Sequence, residues 1–330
     1  MIARNTMADN VLGIDVAKGK FDVVLMRADG KRRWRTFANT AEGFAALLGW
    51  LEKQQALPVH VCLEATGTYG LALATFLHQA DQQVSVVNPA CIKAFSESEL
   101  SRTKTDKVDA GLIARFCRAM QPALWQPLAP EVAQLQGLVR RLESLQGMAV
   151  QERNRLAAPG LAEPVRESVE RTLAMLEQEM KRLRGQLDDH VEGHAALKQQ
   201  RELLTSINGI GLTTANLLLA ELSGCDFQKA REVAAYAGLV PQERQSGSSV
   251  RGKARLSKKG NRRLRKALYW PAIVAIRHNP VLAAFARRLR EAGKPKMVVI
   301  AAVMRKLLHI AFGVLKHQRP FDPNWTACRP

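Results

Sequence analysis

The residues of this chain best suited to do chemistry include two carboxylates in the stretch Thr105-Asp106-Lys107-Val108-Asp109. Asp106 and Asp109 are three residues apart, so on a helix they lie on one face and could share a divalent cation. Thr105 is placed to cap that helix. The helix itself is predicted by an apolar stripe formed by Val108, Leu112, Ile113 and Phe116. The alternative is an acidic first turn that only complements the helix dipole.

Two further carboxylates lie in or at the end of apolar runs. Asp15 interrupts the first run, which begins at Val11, and Glu64 ends the run that begins at Val59, directly before a glycine-containing loop. Acids at strand ends beside such loops occupy the edge where α/β sheets place their sites. An acid buried without a partner is costly, so Asp15 is either solvated at a strand end or a ligand of a cation.

A basic cluster occupies a distant part of the sequence. The segment from Arg244 to Arg290 contains no acidic residue, and its densest part comprises Arg251, Lys253, Arg255, Lys258, Lys259, Arg262, Arg263, Arg265 and Lys266. Like charge at this density repels itself, so the pattern favours contact with phosphates over a simple solvated surface. The run Gln245-Ser246-Gly247-Ser248-Ser249 precedes the cluster and, from composition alone, is typical of a flexible linker. No nearby histidine could take a proton from Ser246.

The elements around the acids predict an α/β domain over residues 1–126. Hydrophobic patterning gives the order β-β-β-α-β-α-β-α, with strands at Val11, Phe21–Met26, Trp34–Phe37, Val59–Glu64 and Val84–Asn88. Acids fall on the first strand, at the end of the fourth strand and on the last helix. That order and that placement are those of the ribonuclease H-like (RuvC-like) fold.

The rest of the chain predicts an all-α region in two parts. Over residues 127–200, leucines recur at alternating spacings of three and four, which indicates a coiled-coil helical hairpin. A partner hairpin from a second protomer would bury both apolar seams, and the alternative is packing against the chain's own domains. Over residues 201–330 we expect a mainly helical domain. Its turn at Gly209 and Gly211 is similar to a helix-hairpin-helix that binds phosphate, or is only a tight connection between helices.

Composition narrows the classes of protein that fit. The 330 residues carry a formal net charge of +19, which predicts a polyanionic partner, whereas an aromatic content of 5% argues against base stacking as the main mode of binding. The five cysteines lack the spacing of a zinc site, so we expect reduced thiols. No secretory leader or uninterrupted apolar span is evident, so we expect a cytoplasmic protein without membrane segments.

Three motifs resemble the DEDD motif of a family of insertion-sequence transposases: Gly13-Ile14-Asp15-Val16-Ala17-Lys18, Glu64-Ala65-Thr66-Gly67-Thr68-Tyr69 and Lys104-Thr105-Asp106-Lys107-Val108-Asp109-Ala110. Further runs resemble the carboxy-terminal transposase domain of the same family, at Tyr236–Pro241, Ser246–Gly252 and Lys258–Asn261. Members of this family are understood as DNA recombinases guided by a bridge RNA.

The resemblance implies a role for each matching residue. Asp15, Glu64, Asp106 and Asp109 would hold Mg²⁺, and Ser246 would attack DNA to leave a 5′-phosphoserine. Dimers would assemble into a tetramer, with the acids of one protomer meeting the serine of another. A structured RNA would choose the target and donor DNA, while the protein reads mainly backbone and shape.

Two other functions fit the residues. One is a metal-dependent Holliday-junction resolvase or nuclease, in which the four acids hydrolyse DNA and the serine run is a linker. The other is a protein that binds nucleic acid without catalysis. Formation of a covalent protein–DNA adduct distinguishes the serine recombinase from both of these alternatives.

Overall fold

The computed structural model describes residues 8–65, 67, 69–99, 106–246, 250–257 and 259–324, and for 106–107, 243–246 and 250–254 the backbone alone. The chain forms two compact units, Met1–Pro127 and Leu128–Pro330. The finer division at residues 126 and 200 stays a prediction.

Among the residues that the structure describes, unit 1 combines five strands with four helices. The strands are β1 (Asn10–Val16), β2 (Lys20–Met26), β3 (Arg32–Ala38), β4 (Val59–Glu64) and β5 (Gln83–Val87). The helices are α1 (Ala41–Lys53), α2 (Leu71–Gln79), α3 (Pro89–Ser98) and α4 (Asp106–Met120). Thr40 caps α1, because its hydroxyl accepts the backbone N–H of Gly43 at 3.3 Å. The sequence prediction missed α3, a short helix capped by Asn88.

The five strands form one mixed sheet in the order β3-β2-β1-β4-β5. The first three strands pair antiparallel, whereas β1 pairs parallel with β4 and β4 with β5. The first two strands therefore form a hairpin. This mixed α/β architecture is compatible with a ribonuclease H-like domain.

Helices cover both faces of the sheet because its central strands are apolar on both sides. On one face, Leu12 and Ile14 of β1 pack with residues of α1 and α2. On the other, Val11 and Cys62 pack with Ile113 of α4. Burial of a large aliphatic side chain contributes about 2 kcal/mol, so the alternation along β1 fixes which residues face α4.

Unit 2 is mostly helical. Its helices are α5 (Pro130–Leu156), α6 (Glu163–Glu192), α7 (Ala195–Thr205), α8 (Leu212–Leu222), α9 (Ala230–Tyr236), α10 (Arg262–Ala267), α11 (Tyr269–His278), α12 (Pro280–Glu291) and α13 (Lys296–His317). A two-stranded antiparallel sheet interrupts them, formed by β6 (Pro241–Ser246) and β7 (Val250–Leu256). The sequence prediction missed this hairpin, because its strands are polar and basic and lack apolar alternation.

Helices α5 and α6 form an antiparallel hairpin whose apolar seams cover each other. Near the tip Arg153 donates to Glu177 at 2.6 Å, and at the base His190 bonds to the carbonyl oxygen of Glu131 at 2.8 Å. Along the seam the packed residues are Leu142, Leu145, Ala149, Leu176, Met180 and Leu183. Burial of these seams therefore does not require a second protomer, although the sequence argument for a partner assumed that it would.

Helix α13 is long and apolar enough to cross a membrane by length and composition. In the fold, however, Val299, Val303 and Leu307 of α13 belong to the main core of unit 2, where they pack with residues of α7, α9, α11 and α12. The helix is thus accounted for as the central core helix of this unit.

Candidate active site

Asp15 and Glu64 occupy neighbouring positions at one edge of the sheet in unit 1. Ile14 pairs with Leu63 in parallel register, so the next residues of β1 and β4 are Asp15 and Glu64. Ile14 and Leu63 face α1 and α2, so alternation places the two acids on the face that α4 covers. Both acids are half-buried.

Gly13 allows α4 to lie directly on β1. A Cβ at residue 13 would lie 2.2 Å from the carbonyl oxygen of Ala110 and 2.3 Å from the backbone nitrogen of Ala114. Further along α4, the thiol of Cys117 lies 4.0 Å from the carbonyl oxygen of His60, which pairs with the start of β1. Helix α4 therefore begins at the edge of the sheet that holds Asp15 and Glu64.

The first turn of α4 carries Asp109, which is half-buried, and the helix begins at Asp106. The predicted apolar stripe is confirmed at Leu112, Ile113 and Phe116. Thr105, the predicted cap, lies outside the described residues, as does the side chain of Asp106. The described side chains include no group of three or more His, Cys, Asp and Glu residues that could hold a metal ion. Half-buried carboxylates are nevertheless the hard oxygen donors that Mg²⁺ prefers, so the donor chemistry fits.

Asp22 lies beside these acids and was missed in the sequence analysis. It pairs with Asp15 across β1 and β2, and it is only 3% exposed. Its carboxylate accepts a hydrogen bond from the hydroxyl of Thr36 at 2.5 Å and lies 3.2 Å from Nζ of Lys20. These partners offset its charge inside the sheet. The sequence signal was the interruption of the apolar run Phe21–Met26 by a single acid.

The two buried thiols on this face of the sheet are packing groups. A hydrogen bond to Cys62, together with burial, raises the pKa of Cys117 far above its ordinary value. The thiol therefore stays protonated, whereas a nucleophile or a metal ligand needs the thiolate.

Ser246 lies in unit 2 as the last residue of β6, where it pairs with Val250 of β7. The composition of this segment predicts a flexible linker, but Ser246 belongs to a strand at the end of a hairpin. A bulge between Gln242 and Arg244 interrupts the pairing. Residues 247–249 and the side chain of Ser246 lie outside the described part of the chain.

The predicted phosphate-binding residues differ in whether acidic side chains already pair with them. Arg255, Lys259 and Arg262 are exposed. Arg263 instead pairs with Glu143 at 3.1 Å and Glu221 at 3.5 Å. Arg251 and Lys253 are described by backbone alone, at alternate positions of β7, and Lys258 lies outside the described residues.

Glu221 organises the start of the basic helix α10 and could not be identified from the sequence. Its side chain is 5% exposed and accepts a hydrogen bond from the amide of Asn261 at 2.6 Å. The amide oxygen of Asn261 in turn accepts the backbone N–H groups of Arg263 and Leu264, which caps α10. One buried acid therefore fixes the cap that positions the basic residues.

The two glycines of the predicted phosphate-binding turn have different surroundings. Gly209 has a φ of +111°, and a Cβ there would lie 2.7 Å from the Cβ of Ala275, so close packing against α11 accounts for it. Gly211 precedes α8 and has open space around it. A phosphate contact by the backbone at either glycine stays a prediction.

Acids gathered at one edge of a mixed sheet, in a chain with a net charge of +19, are compatible with metal-dependent enzymes that act on nucleic-acid phosphodiesters. Comparison with known proteins narrows this class. Residues 12–159 match a family model described as a DEDD-type transposase, and residues 201–287 match the transposase family of IS116, IS110 and IS902.

Similar proteins extend over almost the whole chain. The pilin gene-inverting protein of Moraxella bovis is 35% identical over 96% of this chain and 98% of its own length. The corresponding protein of Moraxella lacunata is 34% identical over the same shares. A protein of insertion element IS110 from Streptomyces coelicolor is 26% identical over 62% of this chain and 48% of its own length.

This chain belongs to the IS110 family of transposases. It is a transposase or site-specific recombinase, and its substrates are DNA. A DEDD-type domain also suggests a divalent metal.

Proposed function

We propose that this transposase cuts and rejoins DNA through a covalent 5′-phosphoserine at Ser246, assisted by Mg²⁺ at Asp15, Glu64, Asp106 and Asp109. The observation that supports it most is the convergence of β1, β4 and α4 on one edge of the sheet in unit 1. Residues far apart in sequence reach that edge because the two faces of the sheet are buried in a fixed register. On this proposal unit 1 is a RuvC-like domain.

The proposed chemistry conserves the energy of the phosphodiester bond. The Ser246 hydroxyl loses its proton and its oxygen attacks phosphorus, while the bond to O3′ breaks and O3′ takes up a proton. Attack by a new 3′-hydroxyl then reverses the step and releases the serine. A bound divalent cation supplies Lewis-acid polarisation of the phosphate. Arg255 and Arg262, both exposed, offset the charge that develops on the phosphate oxygens.

We further propose that a structured RNA directs the enzyme to its DNA sites. The support is the family resemblance together with the basic surface of unit 2, which fits backbone contact better than direct reading of bases. Sequencing the RNA that co-purifies with the chain tests this. We expect one enriched structured species, whereas recovery of bulk cellular RNA alone would contradict it.

The oligomeric proposal is a dimer that assembles into a tetramer. Its structural support is a set of apolar side chains that stay exposed on the α5–α6 hairpin: Met148, Val150 and Met175. Light scattering on the wild type and on a Met148→Lys/Met175→Lys double variant checks this. We expect the double variant to shift towards monomer.

A second candidate activity is site-specific inversion of a DNA segment. The observation that favours it is the near full-length similarity to two pilin gene-inverting proteins. Inversion and transposition require the same cutting and rejoining, so they differ only in the arrangement of the DNA sites. A plasmid that carries the gene's flanking DNA as inverted copies around a reporter would reveal inverted product in cells.

Capture of the covalent intermediate tests the serine mechanism. The chain with its co-purified RNA is incubated with the gene's flanking DNA and Mg²⁺, and denaturing electrophoresis detects attached DNA. We expect an adduct with wild type and with Ser248→Ala, and none with Ser246→Ala. Free 5′-phosphate ends without an adduct would favour the hydrolytic nuclease, and an adduct in Ser246→Ala would overturn the assignment.

A further inference from the structure

Unit 2 contains a large open groove whose apolar and aromatic lining has no role in the proposed reaction. Its volume is about 1380 Å³, and residues of β7, α10, α11 and α13 line it. We call it the α13 groove. It is distinct from the acidic edge, the ends of β1 and β4 that carry Asp15 and Glu64, which lies entirely in unit 1.

Helix α13 has a second apolar stripe that its own core does not need. One side of the helix is buried in unit 2, whereas Met297, Val298, Ala301 and Ala302 line the groove. Met297 is 60% exposed and Val298 is 49% exposed. This surplus of apolar surface is why α13 is as apolar as a membrane span. Contiguous exposed apolar surface commonly marks a site that a ligand or partner covers.

The rim of the groove is uniformly basic. Its charged residues are Arg255, Arg262, Arg265, Lys266, Arg305 and Lys306, and no acid is among the described residues that line it. A second copy of the groove would bring like charges together, so self-association through this face is disfavoured. The occupant must therefore be an anion that also carries apolar or aromatic surface.

Two side chains that line the groove, Trp270 and His309, have surface or polar atoms that no described residue contacts fully. The indole of Trp270 is 69% exposed, and Tyr269 packs against it at a ring-centroid distance of 5.5 Å. The buried Nε2 atom of His309 has no hydrogen-bond partner among the residues that the structure describes. An exposed indole within a basic groove suits a ligand that combines a flat face with negative charge.

We propose that the α13 groove binds unpaired nucleotides of single-stranded nucleic acid. A base stacks on Trp270 and lies over the floor formed by Met297 and Ala301, while the basic rim holds the flanking phosphates. Trp270 and Lys266 also line a smaller cavity of about 440 Å³ at the start of α8, so the path of the strand continues towards Gly211.

This inference rests on the DNA-acting family and needs neither Ser246 nor the carboxylates. It also locates base stacking at one site in a chain whose aromatic content is only 5%. Pairing of one DNA strand with RNA leaves its complement unpaired, so a recombinase of the proposed kind has a use for such a groove.

Fluorescence anisotropy with the full chain tests the groove, using a labelled 15-nucleotide dT strand, the same length of rU and a 15-base-pair duplex. The variant is Trp270→Ala, and the matched control is Trp34→Ala, which removes a 48% exposed tryptophan from unit 1. Stacking of one base is worth about 1–3 kcal/mol, so we expect about 10-fold weaker single-strand binding and less than about 2-fold loss on the duplex. Trp270→Phe should restore part of the affinity, because a smaller ring still stacks. A difference between dT and rU in the size of the loss would identify which strand the groove prefers.

The salt dependence of binding separates stacking from simple charge. We expect Trp270→Ala to keep the slope of affinity against salt concentration, because no counterions are released by the indole. Equal losses on single strand and duplex, or no loss at all, would overturn the proposal. The proposal would also be overturned if a Met297→Glu variant bound dT normally but lost a contact with another protein. The groove would then be a protein-docking surface. Ser246→Ala should bind dT normally, so failure of the serine mechanism would leave this result intact.

Discussion

The acidic edge of unit 1 and the basic surface of unit 2 are held in place in different ways. The acids lie on a sheet whose two faces are buried, so a slip of one residue in β1 would expose a whole row of core side chains. The basic residues lie on a polar hairpin and on short helices, where a single buried acid, Glu221, fixes the helix cap at Asn261. Positions set by a core tolerate change on the surface, whereas positions set by one hydrogen-bond network depend on each member.

The largest expected effect is at the contact between β1 and α4. Gly13→Ala places a methyl group 2.2 Å from the carbonyl oxygen of Ala110, so β1 and α4 must separate. Overpacking against backbone commonly costs about 1–3 kcal/mol, and we expect at least the upper end here. Urea unfolding of the full chain measures this loss.

Gly19→Ala is the matched control for that substitution, because a Cβ at residue 19 meets no atom within 4 Å. We expect its effect to stay within about 0.5 kcal/mol. Equal stability of the two variants would contradict the close docking of α4 and with it the placement of Asp109.

An intermediate effect concerns pH and the stability of unit 1. His60 is 1% exposed and bonds to the hydroxyl of Ser85 at 2.8 Å, and burial lowers its pKa below the ordinary value. As the pH falls, the unfolded chain therefore takes up the proton before the folded chain does. Stability should be complete above pH ~6.5 and should fall below it, by at most about 1.4 kcal/mol per pH unit.

Urea unfolding at pH 7.5 and pH 5.5 measures this dependence in the wild type and in His60→Gln. The variant is expected to be less stable at both pH values, because it disturbs a buried contact, but to show a smaller difference between them. An identical difference in both proteins would remove His60 as its source.

The smallest expected effect compares two adjacent arginines in unit 2. Arg263 is paired with Glu143 and Glu221, so Arg263→Ala should lower the free energy of unfolding by at most about 1 kcal/mol. The effect is small because solvent reaches the 44% exposed side chain and weakens both ion pairs. Arg262 is exposed, so Arg262→Ala should leave stability nearly unchanged. In DNA binding the order reverses. Loss of Arg262 should lower the salt slope, the steepness of log affinity against log salt concentration, by about 1, and loss of Arg263 should not.

Chemical unfolding and salt-dependent DNA binding on both arginine variants decide this. If Arg263→Ala lowers the salt slope as much as Arg262→Ala does, Arg263 contacts phosphate despite its acidic partners, as the sequence pattern predicted.

The sequence predicted unit 1 well because its core residues alternate strongly. The five strands and the buried stripe of α4 follow from apolar spacing. Helix α3 was missed because its ten residues are weakly apolar and only Ile92 is buried. The close approach at Gly13 was also out of reach, since it depends on the position of α4 in space.

Unit 2 was less predictable because its informative features are tertiary. The β6–β7 hairpin lacks apolar alternation, so Ser246 was placed in a linker and not in a strand. The roles of Glu221 and of the α13 groove come from residues that are distant in sequence. The mutual burial of the α5 and α6 seams likewise depends on the antiparallel arrangement, which heptad spacing alone does not give.

The central claim is that the carboxylates of unit 1 and the serine of unit 2 serve one reaction. The most direct test is the amount of covalent protein–DNA adduct formed by Asp109→Asn, beside Glu52→Gln as a control on exposed surface of α1. The account predicts at least about a 100-fold loss for Asp109→Asn, the order expected when transition-state charge stabilisation is removed, and a normal yield for Glu52→Gln. A normal adduct yield from a folded Asp109→Asn protein would contradict it.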